Sequence, residues 1–202
     1  MNVNLKRRFQ FATGLVYQEE FQVNSYDVML SMLTVSTDHD EQNIAYERMK
    51  YWVNRVLYDS VLISETSERL SAYQSTGQRL VILPEEPVDQ LVGMMLYLKL
   101  NAVMENRMVV TGVELSSEVG ENMIYSHAVS ENLGPLQFDG WWSDARPVWN
   151  DAKKRPSGSN IIELDRMPEW GDLELDWHKD QVQEKNTVVF ADFNNSNKHE
   201  DK

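Results

Sequence analysis

The chain has 202 residues, 42% hydrophobic and 25% charged, the proportions of one ordinary folded domain with or without an appendage rather than of a disordered chain. It has no cysteine, which excludes disulfides, thiolate nucleophiles, zinc fingers and iron–sulfur clusters and agrees with a reducing cytoplasm as the compartment. The formal net charge of −13 is spread along the chain, and such a surface repels phosphate backbones, so direct nucleic-acid binding is disfavoured.

The first 20 residues carry no continuous apolar run of a secretory signal. Instead residues 6–17 alternate, with Phe9, Phe11, Leu15 and Tyr17 on one face, which predicts a half-buried strand. After the polar break at 18–20, residues 26–35 are apolar on both faces, as in a central strand, and a hairpin joins the two. From Ser36 the spacing becomes helical: Ala45, Met49, Trp52, Val53, Val56 and Leu57 fall on one stripe. Asp38 with Glu41 three residues on reads as a capping box, so this helix starts near residue 39, and Glu47, Arg48, Lys50 and Arg55 are assigned to its solvated face.

A short second helix is predicted from Ser64 or Ser67 to Gly77, then a buried strand at 79–83 stopped by Pro84. Pro87 opens the third helix, 87–105, apolar nearly all round and expected to be the most buried, with Asn106 as its C-cap. Lys99 and Asn101 interrupt its apolar run, which is in any case too short to span a bilayer, so no membrane segment is expected. Residues 107–115 and 122–129 read as a second hairpin. The result is an α+β fold over residues 1–130: a largely antiparallel sheet with helices packed on one face.

Beyond it the periodicity fades, apart from a short strand predicted at 160–165. Five of the six tryptophans lie at 141–177, so residues 131–178 are read as an ordered, irregular, Trp-rich extension wrapped on the core. In "GPLQFDGWWSDARPVWND" at 134–151 the adjacent Trp141 and Trp142 are expected to point opposite ways, one closing the core and one facing outward. Residues 179–202 read as a mobile polar tail, except for an apolar peptide at 187–193 with Val189, Phe190 and Phe193. That peptide is either a docking motif or a last strand on the protein's own sheet edge.

Phosphate-binding glycine loops, the nucleophile elbow and the H-E-x-x-H metal motif are all missing. His39, between two aspartates, belongs to a helix start rather than a metal site. His127, on the last strand, is expected on the covered face as a satisfied, half-buried histidine. The basic cluster at 153–156 reads as a surface loop. No metal and no cofactor is expected.

At "QNIAYERMKYWVNRVL", "LPEEPVDQLVGMMLYLKLNAVMENR" and "LGPLQFDGWW" the chain resembles a group of uncharacterised proteins of T4-like marine phages, over about residues 5–178. The resemblance implies a context, the cytoplasm of an infected bacterium and an accessory or virion-associated role, and no activity.

The leading reading is therefore a non-enzymatic interaction protein that meets protein partners through Trp141, Trp142 and Trp149 or through Val189, Phe190 and Phe193. A second reading is a hydrolase in which His127 converges with Asp139, Asp144 and Asp151 beneath the tryptophan segment. A third is a homo-oligomer, the chain serving as the subunit of a symmetric assembly.

Overall fold

A computed structural model of the chain describes residues 4–128, 132–150 and 167–177. The fold is α+β. Its strands are β1 (Asn4–Tyr17), β2 (Glu20–Thr34), β3 (Val61–Ser64), β4 (Leu80–Leu83), β5 (Met108–Ser117) and β6 (Tyr125–Ala128), in the sheet order β4-β3-β1-β2-β5-β6. The helices are α1 (His39–Tyr51), α2 (Leu70–Gln74) and α3 (Asp89–Met104). Pairing is antiparallel except for β1 with β3 and β3 with β4, which run parallel. No helix among the described residues is long and apolar enough to cross a membrane.

The β1–β2 hairpin turns on two residues, Gln18 and Glu19, both left-handed at φ 50° and 62°. Such a turn matches the twist of the strands but ordinarily selects Asn or Gly. Here tertiary contacts hold it: Gln18 N donates to Glu86, and the Glu19 carboxylate accepts from Ser67 Oγ at 3.0 Å. Along β2 the even positions Tyr26, Val28, Leu30 and Met32 are buried under the helices, as period-two alternation requires.

α1 starts at the predicted cap, Asp38, whose side chain accepts from Asp40 N at 2.8 Å. The expected box is relayed: Glu41 accepts from Ser36 Oγ, and Asp38 N donates to that same hydroxyl. The helix then widens into a π-helical turn, Trp52–Leu57, which buries Trp52, Val53, Val56 and Leu57 together. It ends at Leu57, the last residue of the predicted stripe. Ser60 turns the chain, and Val61–Ser64, buried on both faces, is a strand between β1 and β4. The second helix shrinks accordingly to five residues and caps a satellite cluster of Val16, Val61, Ile63 and Leu80 on the sheet's opposite face.

The two polar interruptions in α3 have specific tasks. Asn101 donates to Val110 O at 3.1 Å and accepts from Val110 N at 2.8 Å, beside the register shift where β5 slips against Ser31 and Met32 of β2. It thus satisfies backbone groups that the irregular ladder leaves over. Lys99 holds the extension.

Candidate functional site

The Trp-rich extension is a lid. Leu136, Trp141, Trp142, Val148 and Trp170 all belong to the main core. Trp141 is 3% exposed and Trp142 8%, so the expectation that one ring of the pair faces outward is corrected. The reason is local geometry: residues 141–143 form a 3-10 turn rather than an extended segment, and successive side chains of such a turn do not lie on opposite sides. The two rings meet edge to face at 5.8 Å, and Trp141 stacks on Trp52 at 6.0 Å.

Burial of an indole requires a partner for its N–H, and five tryptophans have one. Trp52 donates to Val148 O, Trp142 to Leu136 O and Phe138 O, Trp170 to Ala145 O, and Trp177 to Glu105. Trp141 donates at 2.8 Å to Ile82 O, a carbonyl of β4. Because β4 ends the sheet, this bond occupies part of an edge that would otherwise be open to pairing.

Two buried cations fasten the lid. Lys99, 0% exposed, donates from Nζ to Trp141 O at 3.0 Å, Asp144 O at 2.7 Å and Arg146 O at 2.8 Å. Burial pushes its ammonium down to about 7, opposed by the nearby Asp144 carboxylate. Arg48, 1% exposed, lies 3.8 Å from the Trp177 ring and 4.8 Å from that of Trp170, donates to Leu175 O at 2.7 Å and pairs with Glu105 at 3.0 Å. The sequence reading placed Arg48 on a solvated face, and the structure overturns that assignment.

The residues of the hydrolase reading are not assembled by these contacts. His127 is 2% exposed, more buried than expected, with its ring edge-on to Tyr97 at 4.9 Å and Nδ1 3.4 Å from Tyr125 Oη. Asp139 is exposed. Burial favours protonation of Asp144, but the Arg146 side chain and backbone N–H outweigh it and hold this carboxyl below its ordinary range. Asp151 lies outside the described residues, as do Val189, Phe190 and Phe193, the 153–156 cluster and the strand predicted at 160–165. Among the described residues no three His, Asp or Glu side chains gather as metal ligands. Trp149 is half-buried under the Arg79 guanidinium at 5.5 Å, beside an open cleft of about 1140 Å³.

A different site emerges at the start of α3. Val88, Val119, Met123 and Ile124 are exposed by 40%, 38%, 70% and 71% around a cavity of about 480 Å³ whose walls include Leu15, Tyr17 and Tyr125. In the first turn of α3, Asp89 reaches this cavity and accepts from Ser117 Oγ at 2.8 Å. Burial raises its pKa, with the Ser117 hydrogen bond opposing. Ser117 Oγ also accepts from Gly120 N at 3.0 Å, which ties the β5–β6 connection to the helix.

Gly120 leaves the room that Asp89 needs: a Cβ there would collide with Asp89 Oδ2, an atom already held by Ser117. Gly120→Ala is therefore expected to cost about 1–3 kcal/mol through overpacking, read as a lower urea midpoint at unchanged m-value. An unshifted midpoint would show that the turn yields freely.

No family model matches the chain, and no curated protein is similar to it. Among solved structures it is similar to an uncharacterised protein of Wolinella succinogenes, at 11% identity and a TM-score of 0.46 over 64% of this chain and 99% of that one. It is also similar to the 6-pyruvoyltetrahydropterin synthases of Plasmodium vivax (11% identity, TM-score 0.40, 63% of this chain and 97% of that one) and Plasmodium falciparum (14%, 0.38, 64% and 98%). No substrate and no residue role is carried over from any of the three.

Proposed function

We propose that the chain is a non-enzymatic interaction protein whose contact surface is the apolar rim formed by Val88, Val119, Met123 and Ile124. The observation that carries this reading is the adjacent pair Met123 and Ile124, each about 70% exposed at the mouth of one cavity. Isolated exposed apolar side chains are ordinary, whereas a contiguous group around a concavity marks interaction surfaces. Trp141 and Trp142 contribute as the lid that closes the helical layer, and Trp149 remains half-accessible beside its own cleft. The resemblance to proteins of T4-like phages supports seeking the partner among phage and host proteins.

The test is affinity capture with the full chain and its Ile124→Asp and Met123→Asp variants. Both positions are exposed, so stability should stay within about 0.5 kcal/mol of the parent, while a specific partner captured by the parent is lost from both variants. Retention of the same partners by both variants would refute the assignment of this surface.

A further inference from the structure

We infer that the cavity inside this rim receives a lysine or arginine side chain of the protein partner, with Asp89 as its counter-charge. The inference rests on the rim being the contact surface and names the group that the partner inserts.

An ionised carboxylate has about four acceptor sites, and among the described residues the only donor to Asp89 is one hydroxyl, that of Ser117. An acid in the first turn of a helix is ordinary, since it complements the helix dipole, but such an acid is usually left in water. This one is half-buried at a cavity whose other walls are largely apolar. Tyr125 is fixed there by close packing on Gly93, where an added Cβ would come within 2.8 Å of its ring.

No Lys, Arg or His is among the described residues lining the cavity. The carboxylate is thus partly desolvated without a basic partner among the described residues, an arrangement that favours an incoming cation. A long basic side chain fits the rest of the cavity: its methylene stem packs on the valines and Leu15 while its charged end meets Asp89 and the two tyrosines. The net charge of −13 adds long-range attraction for a basic partner.

The experiment uses the full chain, labelled at methionine and isoleucine methyls, and three acetylated, amidated pentapeptides, Ala-Leu-X-Leu-Ala. X is lysine, norleucine of similar length without the ammonium, or glutamate. The lysine peptide is expected to shift the Met123 and Ile124 methyl signals and to bind about tenfold more tightly than the norleucine peptide at low salt, with the glutamate peptide weakest. Asp89→Asn should abolish the lysine preference. Ser117→Ala, which keeps the carboxylate, should retain it, and melting curves of both variants verify that each is folded.

Equal binding of the lysine and norleucine peptides overturns the inference, as does a preference that survives Asp89→Asn or the absence of any shift at these methyls. Partner capture lost in Ile124→Asp but kept in Asp89→Asn would overturn the basic anchor and leave the rim reading standing. A lysine preference that holds while capture survives both Ile124→Asp and Met123→Asp would overturn the rim reading, and with it the placing of the basic anchor on that partner.

Discussion

Replacing Lys99 by methionine is expected to destabilise the protein by about 3–5 kcal/mol, the scale of leaving several buried acceptors without their donor. Methionine fills a similar volume, so the effect isolates the hydrogen bonds. Three carbonyls, those of Trp141, Asp144 and Arg146, lose their common donor inside the fold, and a buried acceptor left unpaired costs about 1–3 kcal/mol. For a chain of this size the melting temperature should fall by at least about 6 °C. Hydrogen exchange should accelerate most in residues 141–148. A second signature separates the charge from the packing. The unfolded chain keeps the Lys99 proton up to 10.5 and the folded one only up to about 7, so between those values the unfolded state binds more protons. Stability contributed by this group therefore rises with pH across that window, and Lys99→Met should remove the rise. A loss below about 1 kcal/mol would mean that water readily replaces the ammonium, and the lid would then be held by its tryptophans alone.

The same lysine shows where the sequence was legible. Position 99 stands on a helix apolar nearly all round, and a lone cation there has to find acceptors or leave the core. Its presence was visible as an interruption, but its partners lie 42 to 47 residues away on a segment without periodicity. The long strands and helices were readable because their apolar residues repeat at two or at 3.6. Val61–Ser64 was missed because it is buried on both faces, so nothing alternates, and it follows a helical stripe without a Gly or Pro break. The orientation of Trp141 and Trp142 turned on a three-residue 3-10 turn, which leaves no signature in adjacent aromatic residues. The apolar rim was hidden for another reason. Met123 and Ile124 follow Asn122 at the start of what reads as a strand, "NMIYSHAV", while the observed strand starts only at Tyr125. A shift of three residues in a boundary thus turned two expected strand positions into loop side chains about 70% exposed.

Arg48→Ala is the companion test, on the other half of the lid. Ala45, Arg48, Met49 and Trp52 are spaced at three and four residues, so Arg48 shares the buried stripe, and its guanidinium emerges not into water but between two tryptophans. Burial lowers its pKa, and Glu105 and Asp176 oppose that shift. Truncation removes the donor to Leu175 O, takes the guanidinium from Glu105, which keeps its bond from the Trp177 indole, and opens a void beside Trp170 and Trp177. The expected loss is again about 3–5 kcal/mol. Lysine at this position restores a charge but not the planar fork or its stacking, so Arg48→Lys should recover less than half of that loss. Tryptophan emission should shift to the red in Arg48→Ala as Trp177 becomes hydrated, and protease cleavage should appear first within 167–177. If the two variants of the lid, Lys99→Met and Arg48→Ala, lower stability additively, residues 141–146 and 170–177 are independent straps, as expected for sites that share no partner. A combined loss smaller than the sum would show that releasing one strap already frees the other, through the Trp170 to Ala145 hydrogen bond that joins them.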